Sequence, residues 1–202
     1  AYNFPIAQDS RNLKLERGRS DFDIGHTFAG SFIWSPQLTK HWLGRDWQLS
    51  GTNTIYSGSP FTVRVANVSF VNGEATRPDR IASGKVDNPT VDRWFDRSAF
   101  PVVPTGAYRF GTSGRNILDG PGTMIINASL SRRFRFWESK ALQYRLEVFN
   151  LPNNTQITDL NNTMYNLGSG ALVYNTAFGS ITEAGGTLYR ERQIQLGLRF
   201  QF

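Results

Sequence analysis

The chain has 202 residues, a net charge of +6 from 22 Lys plus Arg against 16 Asp plus Glu, 19 Gly, 9 Pro and 13% aromatic residues, which is the profile of a turn-rich β protein and not of a helical bundle. It contains no Cys, so disulfides and Cys-ligated metal sites are excluded. No apolar run approaches the roughly 20 residues of a membrane helix, and the basic residues are dispersed apart from "SRRFRF" with no finger, recognition-helix or RNA-binding signature, so no nucleic-acid partner is expected.

In chain order, the opening "AYNFPIAQDS" has no basic region followed by an apolar core and is not expected to be a natural gene start. The first predicted strand, about residues 24–34, contains "HTFAGSFIW", with His26, Phe28, Gly30, Phe32 and Trp34 on one parity and Thr27, Ala29, Ser31 and Ile33 on the other. That is the period of a strand with two unlike faces. The moderately short link "SPQLTKHWLGRD" leads to a second strand, about 46–58, in which Trp47, Leu49, Gly51 and Ile55 oppose Gln48, Ser50, Thr52 and Thr54, with Asn53 an exception on the apolar side. Residues 59–123 read as a long loop rich in Gly, Pro and Asn.

A third strand, about 124–136, sets Ile126, Ala128, Leu130, Phe134 and Phe136 against Asn127, Ser129, Ser131, Arg133 and Arg135, with Arg132 at an end from which it would snorkel. The tight turn "WESK" precedes a fourth, 141–149, where Leu142, Tyr144, Leu146 and Val148 oppose Gln143, Arg145 and Glu147. A second long loop, about 150–190, comes before the fifth strand, about 192–202. There Ile194, Leu196, Leu198, Phe200 and Phe202 alternate with Gln193, Gln195, Gly197, Arg199 and Gln201.

Strands of about 9 to 11 residues suit a tilted membrane crossing and exceed the usual 5 or 6 of soluble sheets. Short and long links alternate strictly, as short periplasmic turns and long extracellular loops do in outer-membrane barrels. The expected fold is therefore all-β: an antiparallel transmembrane β-barrel segment with long extracellular loops. Residues 1–202 form the carboxy-terminal portion of one barrel domain, with the fifth strand running inward. Trp34, Trp47, Phe134, Phe136, Trp137 and Phe202 then fall in a periplasmic aromatic girdle. Lipid and lipopolysaccharide of the outer membrane of a Gram-negative bacterium are the expected surroundings. A soluble carbohydrate-binding β-sandwich is the alternative, and it would carry charge on its outward face. Since small barrels need about eight strands, five cannot close one, and the chain is expected to be a piece of a larger wall.

The ending "QLGLRFQF" looks like the outer-membrane assembly signal, with Gln195, Gly197, Phe200 and Phe202 at the motif positions. The resemblance implies recognition of the last strand by the barrel assembly machinery through edge pairing.

The stretches "RSDFDIGHTFAGSF", "WQLSGTNTIYSGSPFTV", "RWFDRSAF", "FGTSGRNILDGPGTMIINASLSRRF", "LQYRLEVFNLPNNTQ" and "FGSITEAGGTLYRERQIQLGLRFQF" occur in that order. Together they resemble the carboxy-terminal part of TonB-dependent receptors of the Oar-like type, over nearly the whole chain. The chain departs from the pattern at "TEAGGTLYRERQ", where a shorter Ala/Pro/Arg link is more frequent, and at Asn154, where His is common. The resemblance implies a barrel of about 22 strands and active uptake of a solute, with TonB acting on a plug in the missing amino-terminal part. A passive porin-like or adhesive barrel remains the alternative function.

No enzymatic activity and no cofactor are expected. His26 and His41 lie on different segments without a ligand spacing, and "GTSG" at Gly111 to Gly114 falls one residue short of a nucleophile elbow. A lipase would require a Ser and a His together at the lipid boundary. Asp21 and Asp23 share a parity but are two carboxylates where a calcium cage draws on more. Sequons such as Asn67 to Ser69 carry no glycan meaning in a bacterial outer membrane.

The long-loop stretch "VDRWFDRSAFPVVPTGAYRFGTSGRN" offers Arg93, Trp94, Phe95, Arg97, Tyr108, Arg109 and Arg115 as candidate contacts to an extracellular solute, a sugar or a peptide, by stacking and hydrogen bonding. The competing reading packs these aromatics, with Phe100 and Phe110, inside the loop and pairs the arginines with Asp92, Asp96 and Asp119.

Overall fold

The computed structural model describes residues 7–37, 42–66, 76–104, 106–136, 140–168, 171–184 and 191–202. The described chain is all-β, with only three short 3-10 turns, and it divides into two compact units. The sheet unit comprises residues 25–57, 122–156 and 185–202; the loop unit comprises 1–24, 58–121 and 157–184.

Five long strands form the sheet: β1 (Thr27–Trp34), β2 (Trp47–Tyr56), β3 (Thr123–Arg135), β4 (Ala141–Phe149) and β5 (Gln193–Gln201). They lie side by side in chain order, each antiparallel to the next, and the barrel is not closed. Residues 35–46 and 136–140 link strands at one end of the sheet; residues 57–122 and 150–192 leave from the other.

Register carries the sequence alternation across all five strands. The rows Trp34–Leu49–Leu130–Leu146–Leu196 and Phe28–Ile55–Met124 fall on one face, while Ser50–Ser129–Glu147–Gln195 falls on the other. Because the side-chain period is two, a slip of one residue would exchange the faces completely. The apolar face stays open to the surroundings: Phe28, Phe32, Ile194, Leu196 and Leu198 are all exposed. Such a surface calls for an apolar partner against it. Asn53 does stand on this face, where Gly30 across the register leaves it room.

At the long-loop end the motif "NLPNNTQ" ties strands together. Asn150 donates its backbone N–H to Asn127 Oδ1 at 3.0 Å and Leu151 donates to the Ile126 carbonyl at 2.7 Å. Gln156 exchanges two hydrogen bonds with the backbone of Met124, and Arg192 N–H donates to Asn153 Oδ1. Asn150 and Asn153 both adopt positive φ, which Asn tolerates better than most residues. Asn154 takes part through its backbone N–H and carbonyl, both bonded to the Asn150 side chain, so these bonds do not depend on its own side chain.

The two long connections fold into the loop unit. Pro60–Phe61 pairs with Leu118–Asp119; Arg64–Ala66 runs parallel to Thr163–Gly168, which pairs with Ala171–Tyr174; and Ile157–Leu160 pairs with Ile181–Ala184. Phe95 is the centre of the core, 1% exposed, with ring centroids 5.2 Å from Phe178 and 5.8 Å from both Phe61 and Phe100. Val63, Ala99, Leu118, Leu160 and Met164 complete it.

Candidate functional site

The loop unit holds all seven residues expected to meet a solute, and it separates them. Phe95 belongs to the core, 1% exposed, and packs the loop. Trp94 is half-buried against that core, donating its indole N–H to the Asp119 carbonyl at 3.0 Å. Arg93 pairs with Asp96 at 3.1 Å, as the packing alternative expects. Arg97 instead donates to the backbone carbonyl of Asp92, and Arg109 forms a two-pronged pair with Asp79 at 2.6 Å for each bond. Arg115 approaches Glu16 at 3.7 Å. Tyr108 stands fully clear, 100% exposed at φ 47°.

Asp119 therefore takes partners the sequence did not suggest, Arg19 and Lys85, with Lys85 Nζ 3.6 Å from Oδ2. Lys85, Trp94, Phe95, Leu118 and Asp119 line a cleft of about 230 Å³. An indole, an ammonium and a carboxylate in one cleft can stack on and hydrogen-bond to a polar solute. Lys85 carried no sequence signal, since its role arises from loops folding together.

Hydrogen bonds fix the acidic groups electrostatically. The Arg109 guanidinium lowers the Asp79 pKa to about 2, opposed by burial and helped by the Thr112 N–H. The same pairing raises Arg109. Ser98, through its hydroxyl and its N–H, lowers Asp96. Burial pushes Glu16 upward, but hydrogen bonds from Arg77 and the Gln8 N–H outweigh it and leave it lowered.

The remaining candidates find structural partners. In "GTSG", the Gly111 carbonyl accepts from Gln8, Ser113 N–H donates to the Pro78 carbonyl, and a Cβ at Gly111 would come within 2.1 Å of the Arg77 carbonyl. The stretch is a packing strip and has no elbow geometry. Asp21 accepts from Asn116 at 2.6 Å, and Asp23 N–H donates to the Ser20 carbonyl. Among the described residues no group of three or more His, Asp or Glu is placed to hold a metal ion. His26 and Ser57 do meet, yet through backbone: His26 N–H donates to Ser57 Oγ and Ser57 N–H to the His26 carbonyl. His41, Asn67 and Trp137 lie outside the described residues.

In the sheet unit, the polar face gathers Arg133, Arg135, Arg145 and Arg199 near the short-link end. Arg145 lies 3.6 Å from Glu147, and Arg133 donates to Gln201 at 2.7 Å. The expected assembly residues share β5 but divide by face: Gln195 and Gly197 on the polar side, Phe200 on the apolar side. Phe202 follows the strand, 92% exposed, its ring stacked on Phe200 at 6.0 Å.

The family described as an outer membrane beta barrel domain matches residues 1–195. No curated protein and no solved structure matches the chain. Two-faced strands paired in chain order, an exposed apolar face and that match agree: the chain belongs to the outer membrane β-barrel domain family and forms part of a barrel wall in the outer membrane of a Gram-negative bacterium.

Proposed function

We propose that the chain is the carboxy-terminal part of the barrel of a TonB-dependent receptor of the Oar-like type. The ordered motifs that run through nearly all of it carry this reading. The intact protein takes up a scarce solute, with TonB acting on a plug encoded upstream, and this part supplies wall, lumen lining and part of the extracellular entrance. It performs no bond chemistry and needs no cofactor. The polar face of β1 to β5, a mixture of Gln, Ser, Thr, Asn and Arg, suits a hydrated lumen. The cleft with Lys85, Trp94 and Asp119 suits a sugar or a peptide at the entrance.

Reading the coding frame upstream of the Ala1 codon tests the proposal. A frame that continues through further amphipathic strands, a plug and a TonB box supports it. A signal peptide immediately upstream overturns it in favour of a passive barrel.

A further inference from the structure

Arg132 lies on the wrong face for a charge. Its register partners are Trp47 and Tyr144, and its same-face neighbours in β3 are Leu130 and Phe134, so it belongs to the apolar face that meets lipid. The sequence suggests that such a residue snorkels into solvent. Instead it is 5% exposed, enclosed by aromatic rings. Its guanidinium carbon is 4.2 Å from the ring centroid of Phe134, 5.2 Å from that of Trp47 and 5.5 Å from that of Trp42. Its Nη2 donates to the Trp42 carbonyl, while its buried Nε has no hydrogen-bond partner.

No carboxylate among the described residues forms an ion pair with it. Aromatic faces attract a cation but supply no counter-charge. A buried charge without a partner is costly, and an unfilled N–H adds to that cost. An anion would supply the counter-charge that the rings do not.

Location identifies which anion. Arg132 is at the short-link end of the sheet, alongside the exposed rings of Trp34, Trp42 and Phe136. Aromatic residues at strand ends mark the headgroup level, and short links face the periplasm. The phosphodiesters of the inner leaflet lie at that level, and a guanidinium can hold one by paired N–H bonds. We propose that Arg132, walled by Trp42, Trp47 and Phe134, binds the headgroup phosphate of one phospholipid of the periplasmic leaflet. The proposal rests on barrel membership and on short links facing the periplasm, and it is independent of TonB coupling.

The test uses the full-length protein, delipidated in mild detergent and titrated with dioleoyl phosphatidylglycerol by native mass spectrometry. Dioleoylglycerol provides the uncharged arm and inorganic phosphate the free-anion arm. Wild type is expected to bind the phospholipid about tenfold or more tightly than the diacylglycerol, as a charged hydrogen bond implies. Arg132→Gln is expected to remove that preference and Arg132→Lys to keep part of it. Equal binding of the two lipids by wild type overturns the proposal even if Arg132→Gln fails to fold. An undiminished preference in Arg132→Gln also overturns it. So does saturation by inorganic phosphate alone without added affinity for lipid, since the site would then be one for free anion.

Discussion

The ring of Phe32 lies over Gly51, its partner across the β1–β2 register, so closely that a Cβ on the glycine would come within 2.6 Å of Phe32 Cε1. The glycine is a seat for the aromatic ring, a device that restores packing where a strand lacks a side chain. The neighbouring Asn127 carbonyl, 3.1 Å from the same position, leaves little room to shift.

Gly51→Ala is therefore expected to destabilise the sheet by about 1–3 kcal/mol, because overpacking exceeds the small entropic gain of losing a glycine. Urea unfolding of the full-length protein in lipid vesicles measures this. In a Phe32→Ala background the cost should largely vanish, since the two residues act as one contact. Equal cost in both backgrounds would place the strain elsewhere.

Phe95 and Tyr108 belong to the same predicted contact loop and should respond oppositely. Phe95→Ala removes the ring at the centre of the loop core and should destabilise that unit by about 3–5 kcal/mol. Tyr108→Ala touches only an exposed side chain and should stay within about 0.5 kcal/mol. Limited proteolysis of intact cells reads the difference: cleavage within 58–121 should rise sharply for Phe95→Ala alone, with the amount of protein in the membrane unchanged. Comparable cleavage of the two variants would contradict the assignment of the core.

The strands were legible because lipid and lumen impose a period of two on 9 to 13 residues, as β3, apart from Arg132, and β4 display. Phe61, Phe95, Leu118, Leu160 and Phe178 converge on one core from distant stretches, and no local period announces such a meeting. For the same reason Asp79 was invisible as the partner of Arg109, thirty positions away, while the local pair Arg93–Asp96 followed directly from the stretch "DRWFDR". Arg132 was visible as an exception to its pattern, but its burial depends on Trp42, contributed by a link that has no period.

The Asp79–Arg109 pair makes the loop unit sensitive to acid. Hydrogen bonding by Arg109 is the main cause that lowers the Asp79 pKa from 3.8 to about 2. A lowered folded-state pKa stabilises above the unfolded value, so the contribution is complete above pH 3.8 and is lost as pH falls through about 2. The Thr112 N–H, which donates to Asp79 Oδ1, reports on it. Its hydrogen exchange, corrected for the intrinsic pH dependence, should lose protection over that window. Asp79→Asn should be less protected at neutral pH and flat across the window; a wild-type profile in this variant would mean that the carboxylate contributes nothing there.

Deleting Phe202 tests whether the end of β5 is read during assembly. One edge of β5 pairs with β4 from Gln193 to Gln201, and no other described strand occupies the opposite edge. Free N–H and C=O groups on that edge can accept an added strand, while the stacked rings of Phe200 and Phe202 extend the apolar face past the last paired residue. Phe202 makes no ladder hydrogen bond in the sheet, so its removal should leave folded stability within about 0.5 kcal/mol. The expected result is a severalfold fall in the full-length protein recovered from the outer-membrane fraction, with normal urea unfolding of what is inserted. Unchanged recovery would remove Phe202 from the assembly signal, whereas a parallel loss of stability would make it a structural residue of the wall.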